Sequence, residues 1–259
     1  AQKLGVRQIA EIKRNSSGTP LISSLFETAR SQNNSPLLAY VNADNLLFPD
    51  FLLSARKTLT LTSRFLLIGQ RWDLDVTREL DYSAGWEERL RRECAEKGSL
   101  HKPVGSDYFL FPRECFAVIP DFAIGRAGWD NWMIYQARRQ GWKTIDATDE
   151  IQIIHQSHDY SHLPGGKPHY HLPESDENVR LAGGRRTIFN IPDANWRYQD
   201  GKIKRAKWTG KHFWRELEIF PLIRLKSIFL GEVAHLLFNP RKLWAAVRAR
   251  LVGKKQEQE

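Results

Sequence analysis

Short apolar runs that end in polar residues recur along the chain, and each predicts a buried strand. The first is Leu37–Val41, which lies between Pro36 and Asn42 and has the character of a strand in a parallel sheet. Residues 4 to 13 show only weak strand character. Further runs predict four more strands: Arg64–Gly69, Tyr108–Phe111, Trp142–Asp146 and Ile151–Ile154.

Apolar residues at helical spacing predict helices between and after these strands. Thr19, followed by Pro20, is the expected cap of the first helix, and Asp130 is the expected cap of a later one. The predicted helical segments are Pro20–Ser31, Phe51–Leu61, parts of Val76–Lys97, Trp132–Gln140, Phe213–Ile219, Pro221–Leu230 and Pro240–Val252. Alternating strands and helices indicate the α/β class, with a mixed, mostly parallel sheet flanked by helices.

Aromatic alternation around an Asp-Gly pair predicts a β-hairpin over residues 196–203. The segment before it, residues 174–186, is expected to be a polar helix followed by a loop. The chain is therefore divided into residues 1–172 as the main domain, 173–204 as a linker with the hairpin, and 205–259 as a basic, amphipathic, helical C-terminal segment.

Composition places the chain among globular proteins, since 41% of its 259 residues are hydrophobic and 27% are charged. Cys94 and Cys115 lack the spacing of a metal site, and no segment has the pattern of a signal peptide or a spanning helix. The protein is expected in the cytoplasm or on the cytoplasmic face of a membrane.

The net charge of +9 comes from the C-terminal segment. Residues 202–255 hold 14 Lys and Arg against 3 Glu, a net of +11, while Glu257 and Glu259 subtract two and the remaining residues sum to zero. The basic amphipathic stretch Pro240–Val252 can lie on a membrane surface or pack against the main domain, and both alternatives stay open. No nucleic-acid recognition motif is present, so nucleic acid is not an expected partner.

Four polar clusters follow strands or begin helices: Asn42–Asp44, Gln70–Arg71, Asp130 and His155. Ligands of open α/β sheets bind at the carboxyl ends of the strands, so these side chains are candidates for one site. An Asp such as Asp44 can bind a hard cation, although a local turn is the simpler alternative.

A histidine cluster, His155, His158 and His162, has spacings that occur in zinc sites. It makes a metal-dependent hydrolase or nucleotidyltransferase an alternative function. Because these histidines follow a strand rather than lie on a helix, one of them acting as a single ligand of a larger site is the favoured interpretation.

The order of these clusters resembles the GT-A fold of nucleotide-sugar glycosyltransferases, in particular the family-2-like group. Asn42-Ala43-Asp44 is similar to the Asp-x-Asp metal motif of that fold, with Asn in the first position, and Gly128–Trp132 occupies the place of the motif that carries the acidic base. The resemblance covers residues 9–160. The stretch before Leu37 is too short for the nucleotide-gripping βαβ unit that opens GT-A domains, so an N-terminally incomplete domain is expected.

The resemblance implies sugar transfer from a UDP- or GDP-sugar to a hydroxyl of a glycan, lipid or protein, assisted by Mn²⁺ or Mg²⁺ and inverting. Asp130 would be the general base, and Asp44 and His155 would be the metal ligands. The implied donor-binding residues are Gly18, Thr19, Asn42, Asp44, Gln70 and Arg71. The implied acceptor or sugar contacts are Asp107, Trp129, Asn131 and His158. A non-catalytic module that binds glycan or membrane is the remaining alternative.

Overall fold

Two mixed β-sheets and seven α-helices make up the part of the chain that the computed structural model describes, residues 5–156 and 172–241. The strands of the larger sheet are β1 (Leu37–Val41), β3 (Phe65–Ile68), β6 (Tyr108–Pro112), β7 (Lys143–Asp146), β9 (Trp196–Gln199) and β10 (Lys202–Arg205). Those of the smaller sheet are β2 (Asn45–Leu47), β4 (Trp72–Leu74), β5 (Ser99–Leu100) and β8 (Ile153–Gln156). The α/β class is therefore confirmed.

Strand direction differs from the expected mostly parallel arrangement. The larger sheet has the order β1-β6-β3-β7-β9-β10, and among its described strands only β3–β7 and β7–β9 are parallel pairs. β6 runs antiparallel to both β1 and β3, so β1 has no parallel neighbour among the described residues and lies at the edge of the sheet. A buried apolar run does not encode direction, because a strand covered on both faces has the same composition in either orientation.

The helices are α1 (Ile22–Ser31), α2 (Pro49–Leu61), α3 (Trp86–Lys97), α4 (Trp129–Arg139), α5 (Pro173–Ala182), α6 (Gly210–Ile223) and α7 (Ile228–Phe238). None of the helices in the described part of the chain is both long and apolar enough to cross a bilayer.

Three helix boundaries differ from the prediction. α1 begins after Leu21, so Thr19 is not its cap, and α4 is capped by Gly128 at φ +105°, so Asp130 lies inside the helix. Gly128 can adopt this left-handed conformation because it has no side chain. The prediction chose Asp130 instead because Asp is a common cap residue. α6 continues through Pro221, which lies in its last turn where few backbone hydrogen bonds can be lost.

The hairpin prediction is confirmed, but the linker prediction is wrong. Asp200 and Gly201 adopt positive φ between β9 and β10, and β9 extends the main sheet by pairing with β7. Phe189 from the expected linker and Leu222 from the C-terminal segment lie in the same core cluster as Leu66 of β3. All three predicted parts thus contribute to one core.

Candidate functional site

Polar side chains from several chain segments meet at one edge of the sheets. Asn42 and Asp44 follow β1, Arg71 follows β3, and Asp107 directly precedes β6. Because β6 is antiparallel to its two neighbours, its beginning lies where β1 and β3 end. His155 joins them from β8, whose partner β2 places it opposite Asn45.

Asp107 is held by hydrogen bonds from two neighbouring side chains. Both of its oxygens lie 3.0 Å from Nη1 of Arg71, and Asn42 donates its amide N–H to Oδ1 at 2.8 Å. The Arg71 side chain is only 15% exposed, so this ion pair is shielded from solvent. The pairing holds Asp107, Arg71 and Asn42 in one fixed arrangement.

Asp44 and His155, the predicted metal ligands, are in direct contact. Nε2 of His155 lies 3.1 Å from Oδ2 of Asp44, and the backbone N–H of Gln156 donates to the Asp44 carbonyl. Burial lowers the pKa of His155, and the positive charge of Arg71 acts in the same direction. The imidazole is therefore neutral near pH 7, which is the form that binds metal ions.

Asp73 and His101 extend this network, and neither was predicted as a site residue. Asp73 accepts from Nε of Arg71 at 2.8 Å and lies 2.7 Å from Nδ1 of His101. Partial burial acts to raise the pKa of Asp73, but His101 and Arg71 outweigh it and the pKa is lowered. Asp73 also approaches Nδ1 of His155 at 3.6 Å, so the two sides of the imidazole face different carboxylates.

Asp130 differs from the other carboxylates because its charged form is disfavoured. It is the second residue of α4 and remains partly exposed. Desolvation raises its pKa from 3.8 to about 6, the negative charge of Asp107 adds to the rise, and the backbone N–H groups of Gly128 and Asn131 oppose it. A carboxylate with this pKa can accept a proton near neutral pH.

Tyr40 is within electrostatic reach of Asp130 and of the other carboxylates of the site. Its hydroxyl donates to Oδ1 of Asn42 at 3.0 Å, and its ring packs edge-on against Trp129 at 4.8 Å between centroids. Burial raises the pKa of Tyr40, and Asp130, Asp107 and Asp44 raise it further. The negative charges of all three carboxylates therefore act on the Tyr40 hydroxyl. Its place at the end of the apolar run Leu37–Val41 gave no sequence signal of this.

Two adjacent side chains, Asp44 and His155, have donor types suited to a divalent ion. The carboxylate of Asp44 and the neutral imidazole of His155 are ligand types that Mn²⁺ accepts, whereas Asp73 faces the other nitrogen of the imidazole. Within residues 5–156 and 172–241, no three His, Cys, Asp or Glu side chains are already arranged around one point as a metal site. Binding at Asp44 and His155 would replace their mutual contact by bonds to the ion.

Gly18 and Thr19, predicted to bind the donor, lie in a different environment. Asn15 donates its amide N–H to Glu174 at the start of α5 at 2.7 Å and accepts from the backbone N–H of Thr19 at 2.9 Å. The first amide of α1, from Ile22, donates to the Phe122 carbonyl and is not available to a phosphate. The described contacts tie this loop to α5 instead of the Asp107 network, so its assignment to the donor is not supported.

Three other predicted site residues have structural roles. Trp129 is 6% exposed and packs on Tyr40 and Phe109 in the core, which leaves no ring face for a sugar. Asn131 is buried and donates to Val104, Phe189 and Asn190.

Gln70 has a similar role, since its side chain donates to the His101 carbonyl and its backbone N–H donates to Thr148. The amide and indole groups predicted to contact ligand therefore hold the loops around the site. His158 and His162 lie outside the described residues.

Comparison with protein-family models, with curated proteins and with solved structures finds no match to this chain.

Proposed function

We propose that this chain is a nucleotide-sugar glycosyltransferase with a GT-A-like fold, metal-assisted and inverting, with Asp130 as its general base. The observation that supports the proposal is that two carboxylates, Asp130 and Asp44, have different environments. Asp130 has a raised pKa of about 6 and is partly exposed, whereas Asp44 belongs to a hydrogen-bonded cluster suited to a cation. Tyr40 is within electrostatic reach of both, which supports assigning them to one site.

On the donor side, Asp44 and His155 would hold the divalent ion, and Asn42 and Arg71 would shape the adjoining surface. A bound divalent ion neutralises charge on a diphosphate leaving group. Asn42 donates to Asp107 rather than offering a second carboxylate, so fewer negative charges face the ion than in an Asp-x-Asp motif. The donor class is a UDP- or GDP-sugar.

On the acceptor side, Asp130 takes the proton of the attacking hydroxyl. Its pKa of about 6 leaves it largely ionised at pH 7 while it remains a better base than an ordinary carboxylate. A single displacement at the anomeric carbon inverts its configuration. The acceptor class is a hydroxyl of a glycan, lipid or protein, and we place the reaction in the cytoplasm or at the cytoplasmic face of a membrane.

The first test is calorimetric titration of UDP and GDP, with and without Mn²⁺, into this chain and into Asp44→Ala. We expect Mn²⁺-dependent binding of one nucleotide that Asp44→Ala abolishes, because the carboxylate is the strongest proposed ligand of the ion. The matched control is Asp121→Ala, which removes an exposed carboxylate whose described hydrogen bond is to Ser23.

Binding that is unaffected by Mn²⁺, or that survives in Asp44→Ala, would contradict the proposed donor site. A zinc-dependent hydrolysis of the nucleotide that does not need Asp44 would favour the hydrolase alternative. Where binding behaves as expected, a screen of UDP- and GDP-sugars for donor turnover identifies the sugar.

A further inference from the structure

The helix pair α6–α7 has an unusually apolar outer face. Ten large apolar residues on the two helices are between 38% and 75% exposed, and we group seven of them with Trp208 just before α6 as the outer face. This outer face consists of Trp208, Phe213, Trp214, Leu217, Phe220, Phe229, Leu237 and Phe238. Single exposed apolar residues are ordinary on proteins, but a group of this size marks an interaction surface.

Ring contacts make part of this outer face continuous. Trp208 lies 6.1 Å from Phe213 between ring centroids, Phe213 lies 5.5 Å from Trp214, and Trp214 lies 5.9 Å from Phe238. The chain of contacts connects the start of α6 with the end of α7. The four rings therefore form one patch that spans both helices.

The inner faces of the same helices explain why this patch is not needed for folding. Ile219, Leu222 and Ile223 of α6 are buried in the core, and Ala234 of α7 is buried as well. Gly231 leaves room for Leu222, since a Cβ at this glycine would overlap the leucine side chain. The pair is held by its inner residues, and the outer rings add exposed apolar area.

Exposed basic side chains lie close in sequence to the residues of the outer face. Lys207, Lys211, Arg224 and Lys226 are exposed, and none of them has an ion pair with any residue the structure describes. Arg215, on the inner side of α6, is by contrast held by Asp193 and Glu218. Arg224 lines one cavity with Trp208 and Phe213, so this unpaired cation lies beside the exposed rings.

A cavity of about 320 Å³ opens beside the patch. Its lining combines the rings of Trp208, Phe213 and Phe220 with Arg205 and Arg224, and it also contains the Arg138–Glu216 ion pair. Cations beside aromatic rings suit an anionic group attached to an apolar body, because the charge and the apolar part each meet a matching surface.

We propose that the outer face of α6–α7 docks on an anionic lipid surface. Indole and phenyl rings enter the boundary between headgroups and acyl chains, while the long Lys and Arg side chains reach the lipid phosphates. The proposal does not depend on the proposed glycosyltransferase activity, since none of its residues belongs to the candidate site.

Charge favours a lipid over the two other occupants of such a face. Residues 242–259 carry 5 Lys and Arg against 2 Glu, a net of +3, so covering the patch with this segment would bring like charges together. A second copy of the chain would likewise bring two basic rims together. A surface of phosphates supplies the opposite charge.

The test is co-sedimentation of the full chain with phosphatidylcholine vesicles, with and without about one third phosphatidylglycerol. We expect binding to the anionic vesicles only, weakening as salt is raised. Trp208→Ser with Trp214→Ser should weaken it by about tenfold or more, because two interfacial rings are lost. Arg224→Glu with Lys226→Glu should weaken it by a similar factor.

Matched controls are Leu53→Ser, an exposed apolar residue of α2, and Arg92→Glu, an exposed cation of α3. Both controls should bind vesicles as the parent does, and thermal unfolding checks that every variant folds. Absence of binding to the anionic vesicles, or equal binding to both vesicle types, would overturn the proposal.

Two further outcomes identify the other occupants and also overturn it. Dimers that disappear in Trp208→Ser with Trp214→Ser would assign the face to a second copy. Vesicle binding that survives this double change but is lost on removal of residues 242–259 would assign membrane contact to that segment.

Discussion

Charged and aromatic side chains are shielded and paired at the candidate site, whereas on the outer face of α6–α7 they are exposed. At the site, Arg71 is shielded and bonded to two carboxylates, and Trp129 is buried beneath Tyr40. On the outer face, Arg224 has no carboxylate partner among the described residues, and Trp214 is 59% exposed. Groups fixed by neighbours are suited to positioning a reacting molecule, whereas exposed groups are suited to a broad surface.

The difference shows why residue type alone is a poor guide to role. Trp129, whose residue type suggests sugar stacking, is a core residue, and the exposed rings lie 79 or more residues further along the chain. Partners in space, not the side chain itself, decide whether a group is structural or free to bind.

The largest expected effect tests the site side of this comparison. Replacing Asp130 by Asn removes the proposed base, and transfer should fall by about 10²–10⁴-fold. The kcat/KM of the parent should decline as pH falls through about 6, where Asp130 becomes protonated. A steady-state pH profile on the parent and the variant measures both, and a variant with near-normal turnover would exclude Asp130 as the base.

The same substitution should stabilise the fold at neutral pH. The pKa of Asp130 is raised from 3.8 to about 6, so folding favours the neutral acid and the penalty for its charge appears as pH rises between these values. Asn carries no charge, and the free energy of unfolding at pH 7.5 should increase by roughly 1–3 kcal/mol. Below about pH 4 the difference should vanish, which denaturant unfolding at both pH values can check.

A pair of tryptophan substitutions compares the two regions directly. Trp129→Ala should cost about 3–5 kcal/mol because it opens a cavity beside Tyr40 and Phe109. Trp214→Ala should change stability by no more than about 0.5 kcal/mol, since the ring is mostly exposed. If urea unfolding shows that both variants lose the same free energy of unfolding, the outer face is part of the core.

A smaller effect is expected from Asp107→Asn. The negative charge of Asp107 contributes to the raised pKa of Asp130, so the acid limb of the kcat/KM profile should move to lower pH. The change also takes a charged partner from Arg71 and should lower stability. Asp121→Asn is the control and should leave the acid limb unchanged. If Asp107→Asn also leaves the acid limb unchanged, the charge of Asp107 does not influence the pKa of Asp130.

Much of the candidate site followed from the sequence. Asn42, Asp44, Arg71 and His155 were each identified because polar groups follow apolar runs, and the structure brings them together. Asp107 was also named, although its role as the centre of the network was not. Tyr40 was missed because its apolar neighbours conceal a hydroxyl that turns toward the edge of the sheet.

Other errors have a common physical origin. Gly18 and Thr19 were assigned to the donor from a loop before a helix, but that loop is bonded to α5, which is far away in sequence. Residues 173–204 were considered a linker from their composition, yet Phe189 and Ile191 complete the core. Local patterns do not report which distant segment will cover them.

The sequence by itself determined where most helices and strands lie and which polar residues follow the strands, because hydrophobic periodicity and turn residues act locally. Only the tertiary structure decided that β6 runs antiparallel between β1 and β3, which carries Asp107 to the carboxyl ends of those strands. It also decided that the rings of Trp129 are covered and those of Trp214 are not. Strand direction and burial depend on contacts between distant segments, and no local run of residues specifies them.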